Sequence, residues 1–370
     1  MKIRYLILAL FIFVAINLKA KNNNTWHCAR GDQSLSGYTS SSINPESGIL
    51  HVFDCDDEIK STPVVSDNKI VTGTTGGNVF CIDFEGKLLW KQKVSNAVEA
   101  SALIIEGKVF IGDLSGVLYA FDLESGNKLW EYKAENQIMG APNWFYKNKT
   151  LHILIGSYDF YLHCVNAETG TNVWKYELEN YLNGTVSVYD NKAIFGGCDG
   201  FIHAVDLNTG KLYLKYEVGI YMAGSPVVKD NSVIAADYEG GITCVNIATK
   251  TKVWSWKNPD SELPFIGSPA IYKDKVVIGG RDKHVYCLNN KTGKLLWKTN
   301  AGFRIDASLV IAENGALIAN MRGDLLLLNI ETGNIEWTYE LGSPIFSNPA
   351  VQRNGIITGA SDGNIYIMGK

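Results

Sequence analysis

The feature that most constrains this chain is a segment of roughly eleven residues written seven times. "CIDFEGKLLW" ends at Trp90, "AFDLESGNKLW" at Trp130, "CVNAETGTNVW" at Trp174, "AVDLNTGKLYL" at Leu214, "CVNIATKTKVW" at Trp254, "CLNNKTGKLLW" at Trp297 and "LLNIETGNIEW" at Trp337. The spacings are 40, 44, 40, 40, 43 and 40 residues, a period that belongs to stacked units, none able to bury its apolar face alone. Within one unit, "SPAIYKDKVVIGGRDKHVYCLNNKTGKLLWKTN" falls into four short β-rich runs separated by turn residues. Four antiparallel strands per unit make one propeller blade, so the expected fold class is all-β.

The motif explains itself in physical terms. Asn289, or the Asp that replaces it in other units, bonds its own backbone to start a turn, and Gly293 accepts the positive φ that such turns require. Trp90, Trp130, Trp174, Trp254, Trp297 and Trp337 then re-enter on the fourth strand as anchors wedged between blades. Lys250 replaces the Gly and Leu214 the Trp, so those blades are expected to pack less tightly. The last segment, "ASDGNIYIMGK", stops where the Asp would stand, and "NPESGILHVF", Asn44 to Phe53, supplies the missing fourth strand with Val52 at the Trp position. The expectation is therefore an eight-bladed β-propeller over 44–370 whose last blade is closed by the N- and C-terminal strands. Such closure leaves no open sheet edge and lets the chain stand as a monomer.

Ahead of the propeller lie a lead-in, 21–43, and a segment, 1–20, in which Lys2 and Arg4 precede "YLILALFIFVAINL" and a small residue, Ala20. That is the layout of a secretory signal peptide, and its apolar run is shorter than the roughly 20 residues of a spanning helix. Export is expected, with no transmembrane segment after cleavage. Lys19, Ala20 and Lys21 stand where a lipoprotein would carry its Cys. A net charge of −4 without a basic cluster argues against nucleic acid as a partner.

The Ala-x-Asp-x-x-Thr-Gly-x-x-x-Trp repeat resembles that of the pyrroloquinoline quinone (PQQ) type propellers. "WHCARGDQSLSGY", Trp26 to Tyr38, resembles the Trp-x-x-x-Arg-Gly-(Asp/Asn) lead-in of their secreted members. The resemblance runs from about residue 26 to 369 and is specific for fold rather than for function. It implies one of two kinds of protein: dehydrogenases that hold the quinone with calcium over the channel mouth, or BamB-like members that bind no cofactor and act as docking scaffolds in outer-membrane protein assembly. The chain is similar in size to the second kind. It has no adjacent Cys pair, no Cys-x-x-Cys-His haem attachment and no long insertion to build a quinone pocket.

Cys81, Cys164, Cys244 and Cys287 share one repeat position with Ala120 and Ala204 and read as small apolar core residues. Cys198, in "GGCDG", reads as a free thiol. Two readings stand for Cys28 and Cys55: a disulfide fastening the N-terminus over the seam, or two unpaired thiols, since spacing does not place them within bonding distance. His163, His203 and His284 lie in third strands and are expected to point away from the inter-blade core. No His pair has metal-ligand spacing, and no metal site is expected. Nucleophile elbows, phosphate-cradling loops and paired catalytic carboxylates are absent from the sequence, so no catalytic residue is assigned.

The positions that carry information beyond the fold lie where each innermost strand begins. Alternation puts the residues three and five before the "SP" proline, or its equivalent, on one side, which in a propeller faces the central channel. The candidate ligand-binding residues are Glu58, Lys60, Glu99, Gln137, Tyr181, Asn183, Tyr221, Arg304 and Asp306. Charges gather on blades seven, one and two, and aromatic and aliphatic residues on blades four to six. An apolar wall with convergent polar groups is what ligand sites look like; mutual ion pairing in a wet channel accounts for the same residues. The reading that follows is a non-catalytic exported propeller that binds a protein partner in the periplasm or cell envelope, with no cofactor. The alternative is a quinone-dependent oxidoreductase, with PQQ and calcium, or a binder of sugar or another small ligand at the channel mouth.

Overall fold

The structure, a computed structural model, describes residues 25–353 and 355–370, so the signal segment expected over 1–20 lies outside the described residues. Among the described residues thirty-two strands form eight separate four-stranded antiparallel sheets, seven of them in chain order from the innermost strand outward. Blade 6 shows the plan: Ala270–Tyr272 innermost, then Lys275–Gly279, His284–Asn289 and Leu295–Asn300. Among the described residues no helix is long and apolar enough to cross a membrane.

The eighth blade is closed as expected, by Gly48–Asp54 pairing antiparallel with Asn364–Gly369. Its register differs by one residue from the expectation. In the other blades the Trp column faces the small-residue column, as in Cys81 opposite Trp90 and Cys287 opposite Trp297. In blade 8 the equivalent Ile367 faces His51, which lies three residues after Gly48 where the Trp of other units lies four after its Gly; the bulge between Ile49 and His51 matches one at the same place in the other blades, and Val52 is left exposed.

The anchors act across blades. Trp90 Nε1 donates to Leu123 O of blade 2 at 2.9 Å, and a Cβ at Gly126 would stand 2.7 Å from its indole. Trp130, Trp174, Trp254 and Trp297 repeat the contact on the following blade, donating to Ala167, Leu207, Asn290 and Ile330 carbonyls at 2.8 to 3.1 Å. Each Trp thus sits on the Thr-Gly turn of the next blade, which requires a glycine for its positive φ and for clearance. Trp337 lies half-buried against the core shared by blades 7, 8 and 1. The two departures from the motif meet at one interface: Lys250 of blade 5, at φ 59°, donates through Nζ to Tyr213 O of blade 4, next to Leu214. Leu214 is 6 % exposed, against 7 % for Trp90, so this residue is as well shielded as an anchor.

Between the channel positions, a buried apolar residue enters each interface. Ile59, Val98, Ile138, Leu182, Met222, Phe265, Ile305 and Ile345 are all buried. Val98 takes the space a Cβ at Gly73 would need, and Ile138 that of Gly112.

The four column cysteines are buried free thiols, as read. Cys28 and Cys55 are also free, so the disulfide reading is replaced by two separate thiols. Cys28 lies under blades 2 and 3, whereas Cys55 follows the closing strand at its opposite end and bonds Gly363. His163 and His203 do not point away from the interfaces. His163 joins Asp159 through Nε2 and Tyr132 of blade 2 through Nδ1, at 3.1 and 2.8 Å. His203 joins Asp199 and Tyr176 of blade 3 at 2.9 and 3.1 Å. A blade is covered on both faces, so alternation only moves a side chain from one interface to the next.

Candidate functional site

The lead-in determines which end of the channel is open. Trp26 pairs with Val65 of blade 1, and the carbonyls of His27, Gln33, Ser34, Ser36 and Gly37 then accept from Ile104, Val188, Val228, Ile271 and Ile311. Gln33 also reaches blade 3, donating to Trp144 O at 2.6 Å. The segment therefore crosses beneath seven blades in sequence order, and the chain then turns up as the last strand of the eighth. Gly31, at φ 86°, lets Trp26 lie against the turn, and Asp32 accepts from the hydroxyls of Ser34 and Ser36. Arg30, 2 % exposed, donates to Leu309 O and Pro269 O at 2.9 and 2.8 Å and closes this end.

Above Arg30 runs a cavity of about 190 Å³. Its wall carries the residue three before the proline position from seven of the blades: Lys60, Glu99, Met139, Asn183, Ala223, Ile266 and Phe346. The residues five before that position form a wider circle, fixed by the same bond in every blade. The carbonyls of Glu58, Ala97, Gln137, Tyr181, Tyr221, Pro264, Arg304 and Pro344 each accept an N–H from the loop between second and third strands.

The charged residues of the mouth resolve into two closed groups. Lys60 Nζ lies 2.8 Å from Glu99 and 3.9 Å from Glu58, and Ser361 Oγ donates to Glu58 at 2.9 Å. The Glu99 carboxylate holds the Lys60 ammonium above its ordinary pKa range. Asp306 receives a two-pronged bond from Arg281 at 2.8 and 2.9 Å, with Arg304 3.9 Å away. Among the described residues no ion pair links the two groups, and Phe346 of blade 8 lies between their blades. Glu58, Lys60, Glu99, Arg304 and Asp306 thus pair within two separate groups, one Lys between two Glu and one Asp between two Arg, instead of converging on one point.

The uncharged side is aromatic. Tyr158 stacks on Tyr181 with centroids 4.6 Å apart and donates to Asn183 Oδ1 at 2.6 Å. Tyr221 and Tyr238 meet at 4.4 Å. Phe160, Tyr181, Tyr221, Leu263 and Phe303 are exposed on this same open face. Gln137 is half-buried at the mouth.

Arg281, Tyr158 and Tyr238 were not among the residues read from the sequence, since they share one loop position whose residue type changes from blade to blade (Thr75, Leu114, Cys198, Met321 and Ser361 elsewhere). A second omission had a signal. Directly before the proline position the repeat reads Thr62, Ser101, Ala141, Thr185, Ser225, Ser268, Ser308 and Asn348. In seven of eight junctions the backbone N–H at this position donates to the side chain of the next blade, at 2.6 to 3.1 Å. Only Ala141 has no oxygen to offer.

Comparison with known proteins places these features in a wider group. A family model described as outer membrane protein assembly factor BamB matches residues 33–145, 159–302 and 281–368. A BamB from Xanthomonas campestris is 27 % identical over 95 residues, which are 23 % of this chain and 23 % of that protein. The quinohemoprotein alcohol dehydrogenase ADH-IIG of Pseudomonas putida is 29 % identical over 108 residues, 24 % of this chain and 15 % of the enzyme. The matched segments thus span less than a quarter of either relative. The crystal structure of BamB from Moraxella catarrhalis superposes with a TM-score of 0.74 at 20 % identity, covering 88 % of this chain and 98 % of that one, a likeness of fold.

Proposed function

This chain belongs to the PQQ-like propeller family whose model is described as outer membrane protein assembly factor BamB, and from that premise we propose that it is an exported, non-catalytic scaffold of the cell envelope. Its open face docks another protein, in the setting of outer-membrane protein assembly. The observation that carries this reading is the division of the mouth: the charges are satisfied within the chain, while Tyr181, Tyr221, Leu263 and Phe303 stand exposed around them. Aromatic residues and Arg are enriched where proteins meet, and rigid rings supply contact area at small entropic cost. The lead-in occupies the other end of the channel, which leaves the open face for a partner.

The test is a photo-crosslinking residue at Tyr221 or Leu263 in the envelope of the native host, with Lys147 on the lead-in face as control. A single discrete adduct from the open face, lost for the Leu263 probe in Tyr221→Glu, supports the scaffold. Diffuse labelling equal to the control counts against it.

The matched dehydrogenase segment favours a second reading, a quinone-dependent oxidoreductase. Calcium takes six to eight oxygen ligands, whereas the acidic side chains here are engaged by Lys60, Arg281, Arg304 and Ser361. The donor set does not match such a site. Thermal stabilisation by PQQ with calcium, together with dye reduction on alcohols, is the result that would install this reading in place of the first.

A further inference from the structure

The closed end of the channel holds an uncompensated charge. Arg30 is 2 % exposed, and no carboxylate lies within ion-pairing distance of it among the described residues. Asp32 is the acidic group that acts on it most strongly, and its oxygens are taken by Ser34 and Ser36. A guanidinium has five N–H donors; two of these reach Leu309 O and Pro269 O, while Nε is buried without a partner. Gly37 is part of the cradle, since a Cβ there would occupy the place of Arg30 Nη2. Burial draws the Arg30 pKa down to about 10, which leaves it charged at neutral pH.

The wall next to this charge is a ring of donors. Thr62, Ser101, Thr185, Ser225, Ser268 and Ser308 line the same cavity. Each hydroxyl oxygen already accepts a backbone N–H from the preceding blade. None of the six O–H groups is engaged as a donor among the described residues, so each retains a hydrogen for whatever occupies the cavity. The negative group in the wall, Glu99, is held by Lys60.

We propose that the closed end of the channel is a binding site for a small oxyanion, of the size of phosphate or sulfate, held by Arg30 and the hydroxyl ring. A buried positive charge surrounded by free donors is satisfied by an acceptor carrying negative charge, and charge-assisted bonds of this kind are the strong ones. The site is separate from the docking face and does not depend on it.

The test is isothermal titration of the mature chain with sodium phosphate, sulfate and acetate at constant ionic strength in chloride-free buffer. One saturable site per chain for any of the three is expected. Arg30→Lys should weaken it at least tenfold. Ala223→Glu places a carboxylate in the channel without touching Arg30 or the ring, and should abolish the heat while circular dichroism stays unchanged. This variant decides the matter if Arg30→Lys does not fold. Absence of any saturable site would show that water alone fills the cavity and would overturn the proposal. So would binding that Ala223→Glu leaves unaltered, since the anion would then lie elsewhere.

Discussion

The backbone N–H of Asn348 donates to Thr62 Oγ1 at 3.1 Å, joining blade 8 to blade 1 across 286 positions of sequence. It is the last link of a belt in which seven of the eight junctions between innermost strands are tied by one backbone donor and one side-chain acceptor. Outer-strand pairing closes blade 8 within itself, from Gly48 to Gly369. The belt closes the ring at its axis, where the blades approach most tightly: a Cβ at Gly267 would stand 2.8 Å from Ala307 O.

This arrangement predicts opposite effects at two positions. Thr62→Val keeps shape and removes the acceptor, leaving the Asn348 N–H unpaired, at a cost of about 1 to 3 kcal/mol. Thr62→Ser should stay near wild type. Ala141→Ser supplies the one missing acceptor and should stabilise by about 0.5 to 1.5 kcal/mol. Thermal midpoints of the three variants check both signs, and a destabilised Ala141→Ser would contradict the belt as drawn.

Leu214 and Lys250 should behave as one unit. At five other interfaces a Cβ on the turn glycine would come within 2.6 to 2.8 Å of the indole. Leu214→Trp alone therefore meets the Lys250 side chain and should cost about 1 to 3 kcal/mol, as overpacking does. Lys250→Gly relieves a positive φ but loses the bond to Tyr213 O and the contact of Nζ over the Tyr213 ring at 4.3 Å, so a small net change is expected. The double variant restores the usual pair and should be more stable than the sum of the singles by about 0.5 to 3 kcal/mol. Simple additivity in denaturant midpoints would refute the coupling.

What was legible in the sequence follows from where each signal is stored. The turn motif, the Trp column and the blade count are local and repeated, so they could be read directly. The mouth positions followed from strand alternation. Val52 stands four residues after Gly48, the spacing of the repeat, yet the closing strand comes from the other terminus and its turn is one residue shorter, so His51 holds the Trp position instead. Arg30 stood in a quoted motif, yet the carbonyls it bonds lie 239 and 279 residues away, so its role needed the closed ring. The pairing of Asp306 with Arg281 depends on a loop position that every blade has but only this one fills with Arg.

The thiols give a direct count. Burial pushes Cys28, Cys55, Cys81 and Cys287 up to about 12, and Cys244 to about 11, so their thiolates are scarce and shielded. Cys198 is half-exposed. Folded protein without reductant should react at most once with a thiol-specific dye, at Cys198, and unfolded protein seven times. Five thiols on unfolding would mean that one disulfide forms after all.

The two Tyr–His–Asp chains make acid stability depend on Asp159 and Asp199. Burial alone would raise both carboxyl pKa values, but the hydrogen bonds and charges of His163 and His203 outweigh it, and both end below the ordinary range. A carboxyl whose folded pKa lies below its unfolded value, near 3.9, contributes stability above that value and loses it as pH falls through the folded pKa. These two carboxyls should therefore make wild-type protein lose thermal stability as pH falls below about 4. Asp199→Asn leaves His203 and Tyr176 without their ionised partner and should cost about 1 to 3 kcal/mol at pH 7. Its midpoint should then converge on that of wild type below pH 4, where the carboxylate no longer contributes. Parallel pH profiles for the two proteins would show that the chain between blades 3 and 4 stabilises through packing and not through the charge on Asp199.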